Sequence, residues 1–436
     1  MIRESHILSH STKFDKLVRA LTSRYVAMWE ATPTEFPSLK ERFTLRQQLA
    51  RQRELEGFIA DATAAIRKKH GSEEEPTAQV EAFRASVAKF IGDSLEHRYQ
   101  PFGTRFFDDF SNVTDDFVNE AKQFDSQVDF ETIHQALRNV WIINSIQVYL
   151  EKEVKLTPSA FAYSMLYPYT DNYLDDPTIP VQTKREFTHL LRQRLAGEKV
   201  EATNSYEDVI FELVSMIEGE YPRPHYPSVY QSLLAIHRAQ EKGLSQQEIA
   251  SPLNDRDILR ISVEKGGTSV LADGYLANGT LPIGAADFAF GYGVFLQLID
   301  DLQDLDKDQR KGHLTIFSRI PPRGHLDNIT NRLLAFVTSV LSSANQFLAP
   351  QAEALSDLSE RSCIAMVLEA VARDRNMYTE AYIRTIEEYS PLRLAYMRTI
   401  KQKLKKRYAS LRKVGVVRPL DSSTISLRTS RMETRG

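Results

Sequence analysis

Four aspartates in the second half of the chain have the spacing of a cation site. The cluster consists of Asp300, Asp301, Asp304 and Asp308, within the segment QLIDDLQDLDKD. Residues three or four apart share one face of a helix, so this spacing predicts a single stripe of mutually repelling carboxylates. The apolar segment before the stripe, residues 288–298, predicts a central, buried helix. Buried carboxylates need cations and Mg²⁺ prefers oxygen ligands, so the cluster predicts a magnesium site, with a solvated acidic face as the alternative.

A second acidic pair stands earlier, at the end of an apolar segment that begins near Pro158. Asp171 and Asp175, in TDNYLDD, are four residues apart and therefore point the same way from a helix. Alone, this pair is more typical of a solvated helix end. Two acidic helices facing each other across a bundle, however, would bind several Mg²⁺ ions together with the diphosphate of a ligand in the apolar space between them. Tyr167 and Tyr163 lie one and two turns before Asp171 and are predicted to form the floor of that space.

Helical periodicity dominates the elements that would position these side chains. Apolar residues recur three and four apart in five segments, Arg42 to Lys69, Thr77 to Arg98, Phe130 to Lys155, Gln182 to Leu195 and Tyr206 to Glu218. The sequence has neither the strict alternation of strands nor a Gly-rich phosphate loop after an apolar strand. The pattern therefore predicts an all-α fold.

Composition and motif positions divide the chain into three predicted regions. Residues 1–125 are predicted to be helices added ahead of the chemistry, and residues 126–412 to be the helical domain that carries both acidic clusters. Residues 413–436 are basic and rich in Ser and Thr, so they predict a disordered tail. The acidic pairs Asp108-Asp109 and Asp115-Asp116 are predicted to lie in a loop, as helix caps.

Charge and cysteine content exclude several classes of function. The chain has 436 residues, with 55 Lys plus Arg against 58 Asp plus Glu, so no basic field predicts a nucleic-acid partner. The single cysteine, Cys363, forms no internal disulfide, which is typical of a reducing compartment. The N-terminal residues have no signal-peptide core, and no apolar run approaches the ~18 residues of a membrane span. We therefore expect a cytoplasmic protein without a transmembrane segment.

Both acidic clusters resemble motifs of one enzyme superfamily. The segment DNYLD at 171–175 resembles the first aspartate-rich motif of class I isoprenoid synthases, and DDLQD at 300–304 resembles their second. Asp300, Asp304 and Asp308 also stand where terpene cyclases have their three metal ligands. The segment GGTSV at 266–270 resembles the small-residue kink of the family's central helix. Over roughly Phe130 to Ser410, the chain is most similar to bacterial large-terpene synthases of the tetraprenyl-curcumene kind.

This resemblance implies a class I isoprenoid synthase-type helical bundle with a central apolar cavity. It also implies several Mg²⁺ ions bound together with a prenyl diphosphate substrate, and diphosphate-binding roles for Arg260, Lys307 and Lys311. Thr268, in the kink, joins the predicted pocket, as does Phe295, an aromatic residue just before the second cluster. Both a monomer and a homodimer fit the resemblance.

Three functions are compatible with these motifs. The first is a terpene synthase that ionises a linear prenyl diphosphate and releases diphosphate, giving a hydrocarbon or an alcohol. The second is a prenyltransferase, either chain-elongating or similar to squalene and phytoene synthases. Elongating enzymes carry arginines after the first motif and a lysine before the Thr of the central helix. At these two places this chain has PTIP (177–180) and Gly267. Lys184 and Arg185 nevertheless keep this alternative open. The third is a helical scaffold without catalysis, against which the intact carboxylates argue.

Overall fold

The structure, a computed structural model, describes residues 2–68, 103–176, 178–243, 253–319, 324–400 and 403. These residues form α-helices joined by short connections, with two brief 3₁₀ turns and no β-strand among them. The predicted all-α fold is therefore confirmed. The predicted helix between Thr77 and Arg98 and the predicted tail at 413–436 lie outside the described residues.

The helices are numbered here in chain order. They are α1 Ile2–Ala31, α2 Leu45–Lys68, α3 Gly103–Phe124, α4 Phe130–Tyr149, α5 Pro158–Asp175, α6 Val181–Ala196, α7 Ser205–Glu220, α8 Pro227–Gly243, α9 Asp255–Asn278, α10 Ile283–Gln303, α11 Leu305–Lys311, α12 Asp327–Ser342, α13 Ala352–Arg373 and α14 Glu380–Glu387.

Capping side chains fix the starts of the helices that matter for the site. Thr157 accepts a hydrogen bond from the backbone N–H of Ala160 at 3.2 Å, so α5 begins directly after it. Asn254 caps α9 in the same way, through the N–H of Asp257 at 3.0 Å. Gly312 ends α11 with a φ of 69°, a left-handed conformation that glycine adopts without steric cost.

Helices α9 and α10 form the centre of the first of two compact units into which the chain divides. This unit consists of Met1–Ser38, Pro101–Ala370 and Asn376–Thr379. A methyl group on Gly293 of α10 would overlap the backbone carbonyl of Gly266 of α9, so the two backbones touch with no side chain between them. Such contact needs glycine on both sides, and it fixes the spacing between the two central helices.

Helix α10 is long and apolar enough to cross a membrane by length and composition alone. Of its most apolar 18-residue window, however, 67% is buried inside the protein. This is the environment of a core helix, as the residues at 288–298 predicted. The part of the chain that the structure describes therefore offers no strong transmembrane segment.

Helix α1 packs within the first unit, although it was predicted to belong to an N-terminal extension. The hydroxyl of Tyr25 donates to the carbonyl of Asp287 in α10 at 2.9 Å. The ring of Trp29 packs edge-on against Phe336 of α12, with ring centroids 5.5 Å apart. The first helix is thus part of the core around α10, while the predicted region boundaries at residues 125 and 412 stay predictions.

The second compact unit consists of Leu39–Gln100, Val371–Arg375 and Glu380–Gly436. Among its described residues, Gln48 of α2 is buried and its side-chain amide donates to the carbonyls of Glu387 at 2.7 Å and Ser390 at 3.0 Å. The N–H of Phe43 donates to the carbonyl of Glu388 at 2.6 Å. These bonds tie α2 to the end of α14.

The prediction of a loop around Asp108-Asp109 and Asp115-Asp116 is wrong, because all four residues lie inside α3. Val113, Phe117 and Ala121 recur four residues apart and are buried. This apolar stripe makes α3 an amphipathic helix, and the aspartates occupy its other faces rather than helix caps.

Candidate functional site

An open cavity lies beside the contact between α9 and α10. Its empty volume is about 660 Å³, which includes solvent space at its open mouth. The apolar part of its wall comes from four side chains on four helices: Ile142, Ile236, Val270 and Leu296. Its polar lining includes Arg138, Tyr167, Gln297 and Asp300. The cavity therefore combines an apolar wall with charged groups of opposite sign.

Arg138 and Asp300 form an ion pair at the cavity. An Nη2–Oδ1 distance of 3.1 Å joins them, with 55% of the Arg138 side chain and 38% of the Asp300 side chain exposed. This exposure indicates that the pair lies at the solvent-facing end of the cavity. The same guanidinium also interacts electrostatically with Tyr167 and Asp304. Arg138 is thus one of two cations among the described residues that border the cavity, the other being Lys265.

Tyr167 connects the first acidic cluster with the second. The charge of Asp171 is the largest cause of a strong rise in the pKa of the Tyr167 hydroxyl, followed by burial and by the charge of Asp300. The hydroxyl also forms a hydrogen bond with Asp171. A single side chain therefore interacts with one carboxylate of each cluster, although the two are far apart in the sequence. Asp175 is the last residue of α5, and its side chain lies outside the described part of the structure.

Asp301 points into the protein, unlike its neighbour Asp300. It is 5% exposed, and its Oδ1 accepts a hydrogen bond from the Gln297 side chain at 2.7 Å. Its Oδ2 is buried without a hydrogen-bond partner. Burial raises the pKa of Asp301 to about 6, against the opposing effect of hydrogen bonds from Gln297 and Ser262. The carboxylate therefore has an unused oxygen in a place where negative charge is costly.

The predicted stripe of four aspartates is interrupted at Asp304. Helix α10 ends at Gln303, and Asp304 lies at the junction with α11, with its Oδ2 2.8 Å from the Nζ of Lys307. Asp308, one turn later, is 8% exposed. Burial raises its pKa to about 7, and the charges of Asp301 and Asp304 add to the rise. The four carboxylates thus remain electrostatic neighbours, although they do not lie along one continuous helix.

The donor set at this end of the cavity fits a hard cation. Within the described part of the chain, no three His, Cys, Asp or Glu side chains converge closely enough to hold a metal by themselves. Mg²⁺ rarely uses such a cage, because it is usually held by one or two carboxylates together with waters and phosphate oxygens. The unpartnered oxygen of Asp301 and the raised pKa of Asp308 both indicate carboxylates that a cation would stabilise. The side chains present are therefore chemically compatible with a hard cation.

The basic residues predicted from the sequence lie around this site in different ways. Lys307 is exposed and pairs with Asp304, and Lys311 is exposed in the last turn of α11. Arg260 is exposed near the start of α9 and does not border the cavity. Arg138, which does border it, was missed, because a lone arginine on an amphipathic helix forms no motif.

The predicted pocket residues also separate into lining and supporting positions. Tyr167 borders the cavity, beside the carboxylates rather than as a floor. The hydroxyl of Tyr163 donates to the carbonyl of Ser269 at 3.3 Å, behind the wall. Thr268 is fully buried with its hydroxyl bonded to the carbonyl of Glu264 at 2.6 Å. Phe295 is fully buried and packs on Tyr292 of its own helix, with ring centroids 4.7 Å apart.

A buried polar group supports the inner wall, and no motif indicated it. The Nδ2 of Asn139, a cavity-lining residue, donates to the Oδ1 of Asp273 at 3.0 Å and to the Oγ of Ser164 at 3.1 Å. Asp273 is fully buried, and burial raises its pKa well above the ordinary value. The other oxygen of Asp273 has no hydrogen-bond partner. Burial therefore favours the protonated, neutral form of Asp273, and its hydrogen bond fixes the orientation of the Asn139 amide.

No protein-family model matches the chain, and no curated protein matches it.

Proposed function

We propose that the protein is a magnesium-dependent class I terpene synthase, which ionises a linear prenyl diphosphate and releases diphosphate. The observation that carries the proposal is the meeting of both acidic clusters, through Tyr167 and Arg138, at the exposed end of a cavity with an apolar wall. Charged groups at one end and hydrocarbon along the wall match a ligand with a diphosphate head and an apolar chain.

Each part of the site has a task in such a reaction. Ile142, Ile236, Val270 and Leu296 would hold the prenyl chain away from water. Asp171 and the four aspartates of the second cluster would hold Mg²⁺, which when bound neutralises the charge that develops on the departing diphosphate. Arg138 and Lys307 would donate hydrogen bonds to diphosphate oxygens. The protein needs no nucleophile of its own, since the carbon–oxygen bond breaks with its electrons going to the diphosphate.

A prenyltransferase is the second candidate, and one contact favours it. The Nζ of Lys184 donates to the carbonyl of Leu174 at 2.6 Å, which brings an ammonium group beside the first acidic cluster. A second diphosphate substrate would need a cation in such a position. Gly267, where elongating enzymes carry a lysine, is packed so tightly against the ring of Phe290 that even a methyl group would collide with it. This close packing of Gly267 in α9 leaves no space for a lysine and argues for the terpene synthase.

One incubation separates the two candidates. The purified protein would be mixed with Mg²⁺ and prenyl diphosphates of increasing length, each with and without isopentenyl diphosphate, and released diphosphate and extracted products would be measured. Release of diphosphate from a single substrate, with a hydrocarbon or alcohol as product, supports the terpene synthase. Strict dependence on isopentenyl diphosphate, with longer prenyl diphosphates as products, supports the prenyltransferase.

We further propose that the reaction takes place in the cytoplasm, where the one cysteine, buried Cys363, stays reduced.

A further inference from the structure

The Arg138 side chain is hydrogen-bonded to a carboxylate that a metal would also need. Its guanidinium donates to the Oδ1 of Asp300 at 3.1 Å and interacts electrostatically with Asp304. Asp300 and Asp304 are both half-exposed members of the second cluster. Arg138 therefore supplies positive charge to the place where Mg²⁺ would supply it.

A guanidinium and a divalent cation compete for the same carboxylate oxygens. The competition is reversible, because more than half of the Arg138 side chain is exposed and an ion pair of this kind adds little stability. Arginine also forms paired hydrogen bonds with phosphate oxygens in a fixed, planar geometry. A guanidinium that leaves Asp300 at the cavity entrance is already next to the position that a diphosphate would occupy.

We infer that Arg138 has two alternating partners, Asp300 in the free protein and the diphosphate in the loaded one. This inference rests on the proposed function and adds a residue and an order of events to it. In the free protein, Arg138 offsets the repulsion among the second-cluster carboxylates and lowers their affinity for metal alone. In the loaded protein, Arg138 binds the diphosphate, so metal and diphosphate bind best together.

The inference predicts opposite changes in two affinities when the guanidinium is removed. In Arg138→Gln, Mg²⁺ alone should bind about 2- to 10-fold more tightly, because its competitor for Asp300 is gone. Inorganic pyrophosphate in saturating Mg²⁺ should bind at least about 10-fold more weakly, because a charged hydrogen-bond donor is lost. Isothermal titration calorimetry measures both affinities on the full chain without any turnover.

Two further variants complete the test. Arg310→Gln removes an exposed arginine of α11, which pairs with Asp306 of the same helix at 2.6 Å, and should change neither affinity. Arg138→Lys keeps the charge without the planar fork, so its affinity for Mg²⁺ alone should stay near that of the wild type while pyrophosphate binding falls.

The outcomes separate this inference from the proposed function. The alternation is wrong if Arg138→Gln binds both Mg²⁺ and pyrophosphate more weakly. It is also wrong if neither affinity changes in Arg138→Gln and Arg138→Lys matches the wild type. In both cases the proposed function stands. If the wild-type protein binds neither Mg²⁺ nor pyrophosphate with Mg²⁺, the proposed function fails and the inference fails with it.

Discussion

Asp304 is the carboxylate whose removal should affect chemistry most and folding least. It lies at a helix junction with 39% of its side chain exposed, and its ion pair with Lys307 is at the surface. Such pairs contribute about 0–1 kcal/mol to stability. Asp304→Asn should therefore unfold like the wild type in urea, while diphosphate release falls by roughly 100-fold or more through the loss of a metal ligand.

The control for this variant is Asp306→Asn. Asp306 is 64% exposed and pairs with Arg310 on the outer side of the same segment. The Asp306→Asn variant should retain full activity. Equal losses of turnover in Asp304→Asn and Asp306→Asn would mean that the general charge of the segment matters, not a specific ligand, and would contradict the metal assignment.

Asp273 should make stability fall as pH rises. Its pKa is raised by burial, so the native protein holds a proton that the unfolded chain releases above about pH 4. Between that pH and the native pKa, each pH unit should cost about 1.4 kcal/mol of unfolding free energy from this group. In Asp273→Asn the proton is absent, so the variant should gain stability relative to the wild type as pH increases.

Urea denaturation of both proteins across this pH range gives the difference directly, and other titrating groups cancel from it. The variant can be less stable at low pH, since its amide leaves a buried N–H without a partner. The slope of the difference is what the prediction concerns. Parallel stability curves for the two proteins would show that Asp273 is already ionised in the native state.

The residues of the site that could not be predicted share one physical reason. Asn139 and Asp273 are hydrogen-bonded, yet 134 positions separate them in the sequence. Arg138 pairs with Asp300 across 162 positions. Periodicity reports only which face of its own helix a residue occupies, so such pairs appear only once the helices are packed. The two acidic clusters could be predicted, because each is a local repeat.

At the scale of elements, the contact between α9 and α10 predicts a large effect of one methyl group. In Gly293→Ala the new Cβ would overlap the carbonyl oxygen of Gly266, which is backbone and cannot rotate away. We expect a loss of about 3 kcal/mol in unfolding free energy. The matched control is Gly219→Ala in α7, where a Cβ meets nothing within 4 Å. This variant should gain about 0.5–1 kcal/mol in unfolding free energy. Thermal or urea unfolding measures both, and equal stabilities would contradict the close approach.

Helix positions were predicted better than loop positions. The segment Gln182 to Leu195 proved to be Val181–Ala196, and Tyr206 to Glu218 proved to be Ser205–Glu220. The segment Phe130 to Lys155 ends earlier, at Tyr149, where Glu151 takes a positive φ of 56°. No glycine or proline marks this end in the sequence, so periodicity alone extended the helix too far.

At the scale of the whole molecule, the two tryptophans test whether α1 is part of the core. Trp29 of α1 is 3% exposed, whereas Trp141 of α4 is 40% exposed and donates to Thr114 at 3.0 Å. Trp29→Ala should therefore lower the free energy of unfolding by about 3–5 kcal/mol. Trp141→Ala should cost about 1 kcal/mol, the value of one hydrogen bond. Urea unfolding followed by circular dichroism gives both values, and a small cost for Trp29→Ala would mean that α1 is dispensable.

The different exposure of these two residues also has an optical consequence. Indole emission moves to longer wavelengths in contact with water, so Trp141 and Trp29 should emit as two distinguishable populations, of which only the first is quenched by dissolved iodide. Trp141 follows Arg138 by three residues, one helical turn and about 4.5 Å along α4. In a Trp29→Phe variant all indole fluorescence would come from Trp141. The chain thus contains its own spectroscopic probe one turn from the charged end of the cavity.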